Sequence, residues 1–271
     1  MPEIRDALLA LGLRQGDTLI VHASARRLVA AGHTLEDILD MFFGILGATG
    51  TLVMPLFSAF AEEPPAERRF DKKLYSEPFV YRLGKIKVWT GRLPQVLAAR
   101  DGAKISDIPL NTIVAAGANA DRIVPSDAKG AVLTPCGPHS PWAACLDLDA
   151  KILMLDAGLA HSLTMIHVAE DLFPSEWPIE NWYRPRLFRV ISEGRDEVIH
   201  LDERDPKWAL YYCEARLNKD LQDNGIFAFH ATPQGVSLAM GRSEPLVRFL
   251  RTKQPSGYPY LIPSRYRKAA E

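Results

Sequence analysis

His167 and Glu170, an imidazole and a carboxylate three positions apart, are the side chains in this sequence best suited to moving a proton. They close the run His161-Ser162-Leu163-Thr164-Met165-Ile166-His167-Val168-Ala169-Glu170, which follows a strand-like segment ending at Asp156 and the breaker Gly158. Residues three apart on a helix share a face. A carboxylate bonded to one ring nitrogen fixes the tautomer and leaves the other nitrogen to accept a proton. Ser162 or Thr164 is the expected cap of that helix. The bland alternative is a salt bridge on a solvated helix face, because His-x-x-Glu alone is a weak signal. No metal is expected, since no second histidine pair or acidic cluster supplies further ligands.

Three other segments carry reactive or binding groups. Leu133-Thr134-Pro135-Cys136-Gly137-Pro138-His139-Ser140-Pro141-Trp142 is dense in Pro and Gly and predicts a rigid loop. Ser140 then caps a helix whose first residue is Pro141. Cys136 with His139 offers a nucleophile and a base, although a small buried thiol shaping the turn is the plainer reading. His22-Ala23-Ser24-Ala25-Arg26-Arg27 leaves a strand through small residues, where backbone N–H groups and two arginines suit a phosphate. An arginine pair on a solvated loop is the alternative. Neither a Walker loop nor Gly-x-Gly-x-x-Gly occurs. The fourth segment, residues 104–117 with Ser106 and Thr112, reads as a polar loop entering a strand.

These residues need a frame to position them. Residues 17–22 and 51–55 read as strands, separated by a helix over 35–46 that is entered through Thr34 with Glu36 and Asp37 behind it. A helix over 91–100 and strands over 112–116 and 151–156 continue the alternation, which predicts an α/β fold with a sheet buried on both faces. Residues 59–88 hold no period and carry Glu62-Glu63, Arg68-Arg69 and Lys72-Lys73; they predict a long excursion or lid. Further on, the pattern predicts a hairpin around Glu193-Gly194-Arg195, a helix over 208–223 and a second hairpin through Pro233-Gln234-Gly235. A last helix runs from Ser243 as its cap to Leu250. The expected organisation is one domain over 1–252 with an insertion at about 59–88, followed by an extended surface tail over 253–271.

With 47% hydrophobic and 24% charged residues, the 271-residue chain has an ordinary globular composition. Its net charge of −1 gives no global field for nucleic acid or an anionic membrane. No apolar run approaches the ~18 residues of a membrane span, and the start lacks the pattern of a signal peptide. Three cysteines without a Cys-x-x-Cys suggest reduced thiols and a cytoplasmic location. A homodimer is compatible with the sequence.

Taken in order, the segments say more. Gly16-Asp17-Thr18-Leu19-Ile20-Val21-His22-Ala23-Ser24 precedes Gly50-Thr51-Leu52-Val53-Met54-Pro55 and Thr90-Gly91-Arg92-Leu93-Pro94. Then come the 106–117 stretch, Thr134-Pro135-Cys136-Gly137 with Ser140-Pro141, and Thr164-x-x-His167-x-x-Glu170. This succession resembles the aminoglycoside 3-N-acetyltransferase family over roughly residues 5–250. The resemblance implies a mixed sheet flanked by helices with a C-terminal hairpin-and-helix portion. It also implies an acyltransferase that uses acetyl-CoA as co-substrate and a small-molecule amine, an amino sugar, as acceptor. In that light His167 is the general base, Glu170 its orienting partner, and Thr164 a hydrogen-bonding group near the thioester carbonyl. Coenzyme A is expected at His22, Ser24, Ala25 and Arg26, and at Ser106 and Thr112.

Two departures stand out. Ile108-Pro109 replaces the family's usual His-Pro, and Thr112 stands where a Ser is usual; the approach to Thr164 is also less glycine-rich. The basic residues within 59–88 would suit an anionic acceptor such as a nucleotide-linked amino sugar better than an aminoglycoside-like polyamine, which needs an acidic site; both acceptors stay open. The rival reading is an inactive relative that binds coenzyme A or another protein. A hydrolase using Ser24 or Ser140 is a third, without the Gly-x-Ser-x-Gly elbow.

Overall fold

Seven strands make one mixed sheet, and its centre is the apolar frame the sequence predicts. The computed structural model describes residues 1–68, 71–83, 85–125 and 134–268. Arg69, Leu133 and the side chain of Lys72 lie outside the described residues. The strands are β1 (Thr18–Ala23), β2 (Thr51–Pro55), β3 (Phe79–Arg82), β4 (Lys104–Ile105), β5 (Ile113–Gly117), β6 (Lys151–Leu155), β7 (Tyr183–Ser192), β8 (Arg195–Arg204), β9 (Phe227–Ala231) and β10 (Ser237–Arg242). The large sheet has the order β4-β5-β2-β1-β6-β10-β9, with β2, β1 and β6 parallel at its centre and the outer pairings antiparallel. One apolar cluster, with Phe42 and Leu8, covers one face; another, with Trp142 and Leu217, covers the other. Burial on both faces is why these strands read as continuous apolar runs.

Local signals set several boundaries. The helix Leu35–Leu46 begins where Asp37 N–H donates to Thr34 Oγ1 at 3.0 Å and Thr34 N–H returns the bond to Asp37 Oδ2 at 2.8 Å. Ser140 Oγ likewise accepts Ala143 N–H at 3.1 Å at the start of Pro141–Asp147. At the end of β5, Gly117 has φ +124° and lies so close to Gly50 that a Cβ would sit 2.2 Å from its carbonyl oxygen.

A second sheet, β3-β7-β8, stands beside the first. The 59–88 stretch is therefore more than an irregular excursion, because its β3 pairs parallel with β7. The hairpin β7–β8 is longer than expected. Its first residues, Tyr183-Arg184-Pro185-Arg186, lack an apolar pattern and are held by Arg184 and Arg186 pairing with Glu203.

Other expectations need correction. Residues 208–223 are not one helix: a 3₁₀ stretch, Pro206–Tyr211, precedes Glu214–Asp223, and Tyr212 between them bridges to Tyr260. Neither Ser162 nor Thr164 caps the helix Ile166–Leu172; Met165 occupies that position without a side-chain bond. Ser243 lies inside its helix, Ser243–Lys253, with a buried hydroxyl that has no partner among the described residues. The tail is not a surface strap either. Tyr258, Tyr260 and Ile262 are buried, and Tyr260 completes an aromatic cluster with Trp177, Trp182 and Trp208. Its short, proline-interrupted run hides that burial from any periodicity. Among the described residues no helix is long and apolar enough to cross a membrane.

Candidate active site

The parallel strands β1, β2 and β6 end at Ala23, Pro55 and Leu155, the sheet edge where α/β proteins gather ligands. Over this edge stands the helix Ile166–Leu172 with His167 and Glu170 one turn apart. His167 Nδ1 is 2.7 Å from Glu170 Oε2. Burial pushes the Glu170 carboxyl up, but His167, Arg204 and Tyr260 outweigh it, and the group titrates below its ordinary value. An ionised carboxylate only accepts, so Nδ1 carries the hydrogen and Nε2 is the ring's proton acceptor. The imidazole side chain keeps 25% exposure, whereas Glu170 keeps 4%.

Glu170 is held on every side. Tyr260 Oη donates to its Oε1 at 2.6 Å. Trp177 Nε1–H and Tyr183 Oη–H donate to its backbone carbonyl at 3.2 and 3.3 Å. Next along the helix, Asp171 accepts Cys136 N–H at 2.9 Å and, at 3.0 Å, shares the one Tyr183 Oη–H hydrogen with the Glu170 carbonyl. Burial, then the charge on Glu170, pushes Asp171 up to about 7.

Two clefts meet at His167. The larger, of about 1580 Å³, is lined by Ser24, Ala25, Arg26, Arg92, Gly158 and Thr164 among others. The smaller, of about 530 Å³, is lined by Glu63, Asp171, Arg184, Arg186 and Glu203 among others. His167, Asn111, Trp89 and Arg204 line both. Asn111 adopts φ +52° and Asp156, also on the larger cleft, φ +51°. Such backbone is costly for a non-glycine residue and clusters at functional sites. Asn111 is held by Trp142 Nε1–H donating to its carbonyl at 2.7 Å and by its own Nδ2–H reaching Cys136 Sγ at 3.1 Å.

The larger cleft therefore gathers His22, Ser24, Ala25, Arg26, Thr164 and His167. Burial lowers His22 to about 4, so its ring is neutral and adds no countercharge. Ser106 and Thr112 line neither cleft. Ser106 Oγ accepts Ile113 N–H at 3.0 Å, and Thr112 Oγ1 donates to the Ile108 carbonyl at 2.8 Å. Both brace the loop that presents Asn111. Ile108 itself packs with Tyr81, Phe79 and Phe188, away from the clefts, whereas Pro109 lines the smaller one.

Cys136 is fully buried; burial and Asp171 push its thiol well up, and no hydrogen bond joins it to exposed His139. That is the state of a structural thiol. Sequence reasoning missed Trp89, Asp171, Arg204 and Tyr260. Asp171 adjoins Glu170 and could have been noticed, but Arg204 and Tyr260 reach the site only through tertiary packing. Among the described residues no cluster could hold a metal ion.

This fold, with its His–Glu pair above the sheet edge, has counterparts. The chain belongs to the aminoglycoside 3-N-acetyltransferase family, whose profile matches residues 20–252. Aminoglycoside N(3)-acetyltransferase IV of Salmonella is 34% identical over 198 residues, 71% of this chain and 65% of that protein. The chain thus spans a little under two thirds of that relative's length. The aminoglycoside acetyltransferase AAC(3)-Xa shares the fold with a TM-score of 0.75 at 21% identity, covering 94% of this chain and 92% of its own. AAC-IIIb, solved as a binary complex with CoASH, gives 0.73 at 21% identity, covering 96% and 97%.

Proposed function

We propose that this chain is an acetyl-CoA-dependent N-acetyltransferase acting on a primary amine of an amino sugar by direct transfer, with His167 as general base. One observation carries the reading: the imidazole lines both clefts, so a donor in one and an acceptor in the other would meet at it.

Coenzyme A supplies a thioester-activated acetyl group and a thiolate leaving group. The larger cleft suits such a carrier. Arg26 and Arg92 are exposed on it without ion-pair partners among the described residues, and so are available to phosphates. Ala25 follows with a backbone N–H, whereas that of Ser24 is given to the Leu155 carbonyl at 2.8 Å, which leaves Ser24 its hydroxyl. Ser106 and Thr112 act through the loop they brace.

An alkylammonium is mostly protonated at neutral pH, and only the free amine attacks. His167 Nε2 takes the proton that the attacking nitrogen loses and passes it to the departing sulfur or to solvent. The Nδ1–H bond to Glu170 keeps the ring aimed and stabilises the imidazolium. Thr164, on the larger cleft, is the side chain suited to donate to the carbonyl oxygen as it becomes negative. Holding both reactants at one imidazole supplies much of the remaining barrier reduction.

The smaller cleft suits the acceptor. Its carboxylates, Glu63, Glu170, Asp171 and Glu203, face Arg184, Arg186 and Arg204. Arg184 pairs with Glu203 at 2.9 Å, and Arg186 with Glu63 and Glu203 at 3.2 Å each. This near balance lacks the excess negative charge that a polycation would seek. It favours a nucleotide-linked or otherwise less cationic amino sugar over an aminoglycoside-like polyamine. The rival, an inactive relative, rests on Ile108 and the altered approach to Thr164; the intact His–Glu pair weighs against it. Thiol release from acetyl-CoA with glucosamine, apramycin and a UDP-linked amino sugar tests both. Acceptor-dependent release supports transfer, and coenzyme A binding without release from any acceptor supports the rival.

A further inference from the structure

The far side of the Glu170 carboxylate is held by a residue beyond the span that the family profile matches, 20–252. Arg204 Nη1–H donates to Tyr260 Oη at 2.6 Å, Tyr260 Oη–H donates to Glu170 Oε1 at 2.6 Å, and His167 Nδ1–H donates to Glu170 Oε2 at 2.7 Å. Arg204 ends β8 in the second sheet, whereas Tyr260 comes from the C-terminal segment. The Tyr260 ring packs edge-on to Trp182 at 5.0 Å and beside Tyr212 at 5.4 Å. Phenylalanine would serve that packing without the cost of burying a hydroxyl. Here the hydroxyl both donates and accepts, its hydrogen on a carboxylate and one lone pair on a guanidinium.

We propose that Tyr260, held by Arg204, is a positioning residue of the acetyl transfer: it fixes the Glu170 carboxylate so that the opposite oxygen holds His167 Nδ1–H and keeps Nε2 turned to the junction of the clefts. The geometry stands by itself, while its part in transfer rests on the function proposed above. Without the hydroxyl, Glu170 loses one of its two oxygen partners and Arg204 loses its anchor, and a carboxylate free to rotate holds the ring less well. The charged or titratable groups around Glu170 are His167, Arg204, Tyr260, Asp171 and Tyr183, together with the more distant Tyr212 and Cys136.

The test compares the full-length wild type with Y260F, Y260L and H167A by two independent measurements. In the first, proton NMR of the ligand-free protein follows the downfield Nδ1–H resonance, assigned by its absence in H167A. We expect it to move upfield or broaden by exchange in Y260F, and an unchanged resonance there overturns the proposal. In the second, with the acceptor that supports thiol release, Y260F should lose about ten- to a hundredfold in kcat. Its KM for acetyl-CoA should stay within about twofold, and the acidic limb of its pH profile should move to higher pH as Glu170 loses a donor to its charged form. Wild-type kcat with an unmoved limb in Y260F also overturns it. Y260L, which loses ring and hydroxyl together, should fall at least as far in kcat and melt lower; wild-type kcat in Y260L would overturn the proposal. Wild-type turnover in H167A would instead defeat the proposed function, and the resonance shift in Y260F would distinguish the two failures.

Discussion

The backbone N–H of Cys136 donates to Asp171 Oδ2 at 2.9 Å, fastening the Thr134-Pro135-Cys136-Gly137 loop to the helix that carries His167 and Glu170. Two motifs that are 31 residues apart in sequence, from Cys136 to His167, are therefore one structural unit. The loop closes tightly: a Cβ on Gly137 would lie 2.1 Å from Thr134 Oγ1 and 3.3 Å from the Asp171 carbonyl. Cys136 is thus a structural residue, its backbone N–H on Asp171 and its Sγ accepting from Asn111.

Asp171 gives stability a pH signature. Its pKa is raised from 3.8 to about 7, so the folded state binds the proton more readily than the unfolded chain. Stability from this group therefore falls as pH rises through that window. Asp171→Asn should gain Tm relative to wild type as pH increases from 4 to 7, measured by scanning fluorimetry across a buffer series. A constant difference would contradict the shift.

His22 works in the opposite sense. Burial lowers its pKa from 6.5 to about 4, so the unfolded chain binds the proton more readily. Its contribution is complete above 6.5 and is lost as pH falls toward 4. His22→Gln should close its Tm gap to wild type, or overtake it, as pH drops through that range. An unchanged gap would mean that the ring titrates normally.

Gly117 tests the close approach of β5 to β2. A methyl group there would meet the Gly50 carbonyl at 2.2 Å with φ already at +124°. Gly117→Ala should destabilise by at least about 2 kcal/mol. Gly194→Ala, in the β7–β8 turn at φ +73° with open space around it, should cost only about 1 kcal/mol. Urea denaturation of the two variants gives the comparison.

On the donor side, Arg26→Ala and Arg92→Ala should each raise the KM for acetyl-CoA by about tenfold and leave kcat nearly unchanged, the pattern of lost uniform binding. The effect should shrink at high salt. A fall in kcat with KM preserved would move these residues from binding to chemistry.

Much of this was legible in the sequence, for physical reasons. The central strands announce themselves because both faces are buried, and the Thr34–Asp37 cap fixes one helix start to the residue. His167 and Glu170 were recognisable because three-residue spacing is local. What failed was long-range. The 59–88 stretch gains a strand only by pairing with β7, and the polar start of β7 is ordered by Arg184 and Arg186 on Glu203. Tyr260 sits in a segment with no period at all. Ser106 and Thr112 drew notice as polar residues of a loop, but their hydroxyls turn inward to hold the loop's own backbone, which sequence spacing does not reveal.

The central claim is that one imidazole, steered by Glu170, removes the proton from the acceptor amine. The most direct measurement is steady-state acetyl transfer by His167→Ala, alongside calorimetric binding of coenzyme A. The account predicts a loss of at least about 10²-fold in kcat with coenzyme A affinity unchanged. Turnover close to wild type in that variant would contradict it.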